Sequence, residues 1–472
     1  MLAGEPPFTG PSVQAIVAKV LTEKPAARHR SDDEVGRTAM TKAMWRILPL
    51  MLVCYMIAYI DRVNVSFASL QMNADLAFSA TIYGLGGGLF FLGYALFEVP
   101  SSVMLRRYSA PQWIARIMVT WGLLAMGMMF VRTPVQFYVM RFLLGVAEAG
   151  FFPSLVYYFA TWFPSASRGR AVSRIYIAAP MSSLILGGIS GALLGLDGLA
   201  GLRGWQWLFL VQGLPAVLMG VLVLFALPSV PTTATWLRDD EKAWIQRELA
   251  RDAAGIGAPA GHGILDALRN PRVLLLAAMG FVLNASVNGL LLSAPAVLMA
   301  GAGIDTMQAG FVVSAGGALG ALCVILAGWR SDRHGDRLGL AFAFSLAVAA
   351  SLLLLAADAG RGVVIFGYLL FAASVFTTGM LMICSWADVL HVSELAVGGA
   401  AINTIWQIGN FASPYAWGLA KDATGGFRAG LLGAAVLAIA LALIIRHARA
   451  RVMARRRALD ADTARTEAPH TP

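Results

Sequence analysis

Two stretches of the chain carry acids and bases where their surroundings are otherwise apolar. In "YIDRVNVSFA", residues 59–68, Asp61 and Arg62 stand side by side. In "RFLLGVAEAGFFPS", Arg141 and Glu148 are the only charges. Seven residues are nearly two helical turns, so a helix would point Arg141 and Glu148 the same way, about 10 Å apart along its axis. Ionisable groups inside apolar helices are costly, usually face a bundle interior or a wet cavity, and mark transport paths. The competing reading is structural: Arg62 reaches an interface with Asp61 beside it, or the four groups only neutralise one another. Counted from Trp45, Asp61 lies about 24 Å along such a helix, toward the outer half of a membrane span.

Other polar groups say less. "NTIWQIGNF" puts Asn403 and Gln407 one turn apart on one face with Asn410 following, and Asn284 and Asn288 repeat that spacing. Amides there can hold substrate hydroxyls or tie two helices together. Tyr59 and Tyr176 can wall a cavity or simply pack. The glycines at 84, 86, 87 and 88, and at 187, 188 and 191, are no phosphate cradle, because no strand precedes them and no GKS/T follows. They suit close approach of helix backbones. Cys54, Cys323 and Cys384 lie in apolar runs without CxxC spacing, and His262, His334 and His391 form no ligand cluster. No metal, cofactor or disulfide framework is expected.

The elements that must position these residues follow from composition. Of 472 residues, 58% are hydrophobic and only 13% charged. A soluble chain carries roughly a quarter charged residues. A membrane helix needs about 20 mostly apolar residues, and continuous rather than alternating apolar runs exclude a β-barrel. Runs near 45–68, 80–103, 112–131, 136–159, 171–194, 206–227, 273–292, 309–329, 339–356, 362–384, 396–419 and 428–446 give about twelve spans. Breaks between them alternate between Lys/Arg-rich and nearly neutral. That asymmetry puts the basic set and both termini in the cytoplasm, and it explains the formal charge of +10 without nucleic acid.

The one long hydrophilic interruption, 229–272, falls near halfway. It divides a first six-helix bundle (43–228) from a second (273–446), with segments 1–42 and 447–472 outside the membrane. Thr235 to Asp252 reads as an amphipathic cytoplasmic helix in a connector too short to be a domain. The loop "GWRSDRHGDR" repeats, at the corresponding place in the second half, the position of "LRRYSAPQ" in the first.

These residues carry a resemblance. "GWRSDRHGDR" resembles the loop motif of the major facilitator superfamily, with Asp332, Arg333, Gly335 and Arg337 in its gating positions. The earlier copy departs from it, with Arg106 at a usually acidic place and Ser109 for glycine. "YIDRVNVSFA", "GYALFEVPS", "WIARIMVTWG", "RFLLGVAEAGFFPS" and "PYAWGLAKDATG" resemble the anion:cation symporters within that superfamily, over Asp33 to about Arg446. The resemblance implies an all-α membrane protein of about twelve helices in two bundles, and no enzyme. It implies that Arg62 and Arg141 are the basic pair, Arg62 gripping a substrate carboxylate, and that Asp61 and Glu148 load and release protons. Tyr59, Asn403 and Gln407 complete the expected substrate site. The expected partners are a small organic anion (a carboxylate or sugar acid), a proton with sodium as the alternative ion, and the lipid of a bacterial inner membrane, for a monomer.

On this reading an anion engaging Arg62 deprives Asp61 of its counter-charge, and Asp61 then takes a proton. Two alternatives stand beside it: an exporter of drugs or cations, and a transporter-shaped sensor that moves nothing. Residues 1–25 resemble a C-lobe fragment of bacterial serine/threonine kinases around "LAGEPPFTG". The Gly-rich loop, phosphate-pairing lysine, HRD and DFG are missing, so kinase activity is excluded.

Overall fold

The computed structural model describes residues 30–254, 269–390 and 392–466. The kinase-like stretch 1–25, His262 and His391 lie outside the described residues, as does the side chain of Asp332. Among the described residues the regular structure is helical. The helices are α1 Arg30–Asp75, α2 Ala80–Met104, α3 Ala110–Gly127, α4 Pro134–Glu148, α5 Phe151–Trp162, α6 Ser165–Ile175, α7 Ala178–Leu194 and α8 Gly204–Ala226. After the connector helix α9, Asp239–Ala254, come α10 Pro271–Ala302, α11 Thr306–His334, α12 Arg337–Ala356, α13 Arg361–Cys384, α14 Val392–Thr424 and α15 Arg428–Thr466.

Among the described residues, ten helical segments are long and apolar enough to cross a membrane, counting α4 and α5 as one. The apolar but shorter α7 and the 33-residue α14 complete twelve spans at the expected places. Several helices outrun the apolar runs that announced them. The first begins at Arg30 rather than near Trp45, and the last continues through the basic "RHARARVMARRR". Charged residues at helix ends keep good helix propensity once they are in water, so hydropathy marks the span and not the helix.

The duplication is visible in the packing. Within the first half α1 packs on α7 and α8, α2 on α4, and α3 on α8. Within the second half α10 packs on α14 and α15, α11 on α13, and α12 on α15, which is the same set of pairs shifted by six spans. The halves meet along two equivalent seams, α2 against α14 and α7 against α11.

Glycine makes those seams tight. A Cβ on Gly84 would stand 2.1 Å from the Pro414 carbonyl oxygen, one on Gly418 2.2 Å from that of Ala80, and one on Gly187 2.1 Å from that of Gly310. These are backbone-to-backbone contacts across the halves, the use expected of small residues in membrane helices. The runs do not act uniformly: Gly86 receives the Phe137 ring and Gly188 faces open space.

The connector is bound to the first half. Trp244 of α9 lies on α1 at Gly36, and Glu241 pairs with Lys42 at 2.9 Å. Asp252 accepts from the backbone N–H and the hydroxyl of Ser165 at 2.6 and 2.8 Å, and Trp162 stacks on Trp236. The membrane face that carries α9 is the connector face, and the opposite one the far face.

Candidate functional site

The fourth span is broken at its middle. Ala149 leaves the helix and Gly150 takes φ +87°, a left-handed conformation that glycine adopts without strain, before α5 begins. A Cβ at Gly150 would also stand 2.1 Å from the Ser101 hydroxyl oxygen of α2. The break puts Glu148 in the last turn of α4, where unpaired carbonyls make a negative potential that disfavours a carboxylate. The position therefore calls for a cation.

Arg62 supplies it from α1. Its Nε donates to Glu148 Oε1 at 2.6 Å, and Nη2 lies 2.6 Å from the same oxygen. Glu148 is fully buried, and the Arg62 side chain keeps 16% exposure. The guanidinium lies 5.4 Å from the Tyr59 ring centre and 5.0 Å from that of Tyr94, so aromatic faces hold its remaining surface. Tyr59 in turn meets Tyr55 edge to face.

Arg141, one turn-pair before Glu148 on α4, is buried and sits 4.9 Å over the Phe90 ring, with Nε donating to the Gly86 carbonyl at 3.4 Å. Asp61 accepts from Asn64 Nδ2 at 3.1 Å. Its carboxyl lies within electrostatic reach of Glu148 and Arg141. The four groups that the sequence singled out are thus brought together, but in a different pairing. Neighbours in a helix are about 100° apart around its axis, so Arg62 turns to Glu148 and Asp61 turns away. The expectation that Arg62 is the counter-charge of Asp61 is corrected accordingly. Glu148 stands at the middle of the fourth span, Pro134–Trp162, while Asp61 and Arg62 stand in the C-terminal part of α1.

Hydrogen-bonding capacity remains in the cluster. Asp61 Oδ2, Arg62 Nη2, Arg141 Nη2 and Glu148 Oε2 are buried without a hydrogen-bond partner in the protein. The short Arg62 Nη2 contact is therefore an ion pair without hydrogen-bond alignment. Two cations and two acids with unspent donors and acceptors can exchange partners with an arriving carboxylate.

The second-half amides divide between two tasks. Asn288 bonds Asn410, and Asn410 donates to Gln407 at 2.5 Å, so Gln407 belongs to a chain that ties α10 to α14. Asn403 turns the other way and donates to both oxygens of Glu98, at 2.9 and 2.7 Å, across the α2–α14 seam. Glu98 is not among the residues singled out from the sequence, although a lone acid in "GYALFEVPS" is a signal of the kind that marks Glu148. Tyr176 packs against Phe152.

In the loop "GWRSDRHGDR", Gly335 caps α11 at φ +67°. Arg337 donates to the Cys384 carbonyl at 3.4 Å, and Arg333 lies over the Trp329 ring. The two-pronged ion pair belongs to Asp336, which was not singled out: Arg449 of α15 meets it at 3.1 and 2.6 Å.

Residues 51–414 match the family model of the Major Facilitator Superfamily. A relative from Agrobacterium vitis named for tartrate transport is 38% identical over 87% of this chain and 91% of its own length. The quinolone resistance transporter of Acinetobacter baumannii is 37% identical over 82% of this chain and 89% of its own. Solved structures share the fold at lower identity. The xylose transporter XylE from E. coli, partially occluded and inward-open, has a TM-score of 0.69 at 15% identity, covering 86% of this chain and 98% of that one. A bacterial homolog of the human lysosomal transporter Spinster, inward-facing and occupied, has a TM-score of 0.67 at 16%, covering 85% and 96%. Twelve spans in two matching halves, close-packed along two glycine seams around a buried charge cluster, agree with that match over most of the chain: the protein belongs to the Major Facilitator Superfamily.

Proposed function

We propose that this transporter imports a small organic anion together with at least one proton. The observation that carries the reading is the buried Arg62–Glu148 pair, which joins the first and fourth spans at mid-depth. A substrate carboxylate that takes Arg62 leaves Glu148 as a buried, uncompensated charge at a helix C-terminus. Breaking a buried pair in this way costs about 3–5 kcal/mol, and a proton on Glu148 removes the penalty. Anion and proton then enter as a neutral set, and the halves rock around them. Asp61 and Arg141 act as the second acid and base of the cluster. The relative named for tartrate transport supports a hydroxy-acid substrate. The Lys/Arg excess in the breaks on the connector face supports a cytoplasmic placement of that face and of both termini in a bacterial inner membrane.

A second reading draws on the relative named for quinolone resistance: the same cluster working in export. Reconstituted vesicles separate the two. Under an inward proton gradient, tartrate or another hydroxy acid should accumulate with co-entry of protons. Arg62→Ala should lower binding about 100-fold or more, the loss expected when one partner of a buried charge pair is removed. Glu148→Gln should keep exchange of labelled substrate but lose gradient-driven accumulation. Normal accumulation by Glu148→Gln would remove the role assigned to that residue. Extrusion in place of uptake would favour the second reading.

A further inference from the structure

A cavity of about 370 Å³ opens at the far face between the halves, away from the central cluster. That volume lies within the usual range of small-molecule sites, roughly 300–1,000 Å³. Its walls come from the ends of α1 and α2 on one side and from α10 and α14 on the other. Tyr83 lines it, with its hydroxyl donating to the Leu292 carbonyl across the halves at 2.6 Å.

The chemistry of this cavity is specific. Among the described residues of its lining, Lys421 brings the one cation, with its ammonium 4.3 Å from the Phe427 ring centre. Asp422, next in the chain, keeps its charge beside that ammonium while its two oxygens accept from the backbone N–H groups of Ala80 and Thr81 at 3.1 and 2.7 Å. Asn73 and Trp417 also line the cavity, and the Asn73 side-chain oxygen and the Trp417 indole N–H lie buried behind its surface without a hydrogen-bond partner. Trp417 itself is 7% exposed. Ser69 and Ser293 add hydroxyls. A cation for a carboxylate, with serine and asparagine side chains in the wall for hydroxyls, is a set that fits a small hydroxy acid. A hydrocarbon or a cationic drug would leave most of it unpaired.

We propose that this cavity is a second carboxylate site, separate from the Arg62 cluster, which takes a hydroxy acid from the far face with Lys421 as its counter-charge. Substrate would be collected there while the Tyr83–Leu292 contact keeps the central cluster shut. The site shares a ligand class with the function proposed above and does not require proton coupling.

A thiol probe tests it in the full-length protein. Ala74 is exposed and lines the cavity, so Ala74→Cys reports on its mouth. An anionic sulfonatoethyl methanethiosulfonate should modify that cysteine about tenfold faster than the trimethylammonium analogue, by electrostatic steering. Lys421→Gln should abolish the preference and Lys421→Arg should keep it. Tartrate should slow the reaction, and should still do so when Arg62→Ala has emptied the central cluster. Loss of tartrate protection in Arg62→Ala would overturn the second site while leaving the proposed function intact. A charge preference that survives Lys421→Gln would overturn it as well. Failure of gradient-driven uptake with protection preserved would instead count against the central reading.

Discussion

At the scale of single residues, Arg141 tests whether the cluster is more than a set of neutralising charges. Its guanidinium covers the Phe90 ring while Nε reaches the Gly86 carbonyl. A lysine keeps the charge but has neither the planar face nor the fork, so it cannot do both. If Arg141 only balances charge, Arg141→Lys should be silent. If it orients a ligand carboxylate, the variant should raise the transport KM about tenfold with little change in the amount of folded protein. Initial uptake rates and size-exclusion profiles of the purified variant give the two numbers. The identities of the four charged residues were legible in the sequence, because acids and bases stand out against apolar runs. Their pairing was not: chain adjacency suggested Asp61 with Arg62, whereas side-chain direction around the helix gives Arg62 to Glu148. Glu98 shows the same limit, since only the fold brings Asn403 opposite it.

At the scale of elements, the connector helix is the part that the sequence understated. Its amphipathic pattern was readable, but the surface that it covers was not, because the partner residues at Gly36 and Lys42 lie some two hundred positions earlier in the chain. Glu241 is the polar centre of that contact. Burial alone would push its carboxyl up, but the Arg238 backbone N–H at 2.9 Å and the Lys42 ammonium overcome this and hold it below the usual carboxylate range. A carboxyl lowered by folding stabilises the docked state above its unfolded value, near 4.3, and that contribution disappears as pH falls through the lower folded value. Hydrogen exchange of α9 should therefore be slow and pH-corrected rates flat from pH 7 to about 5, with α9 loosening first on further acidification. In Glu241→Gln the same loosening should already be present at pH 7. The fourth span teaches a similar lesson. Its apolar run reads as one helix, yet Gly150 breaks it, and that break places Glu148 at a helix end.

At the scale of the whole molecule, the duplicated architecture was the most legible feature, since run length and the midpoint interruption both follow from the bilayer. How the halves touch was less so, because glycine spacing does not say which glycine meets backbone and which meets space. Gly84 meets backbone: its Cβ would stand 2.1 Å from the Pro414 oxygen. Gly84→Val should hold the far face apart. Overpacking of about 1.4 kcal/mol is enough for a tenfold shift in the balance of two arrangements. A cysteine at Ser69, buried in the cavity wall, should then react about tenfold faster with membrane-impermeant reagents, while net uptake falls. Gly188→Val, which meets nothing within 4 Å, is the matched control.

The seam between α2 and α14 is fastened at both extremities, by Asp422 on the Ala80 and Thr81 amides and by Asn403 on Glu98. Two clasps so far apart cannot be released by one local slip, so parting the halves along this seam means giving up charge-assisted hydrogen bonds at separate points.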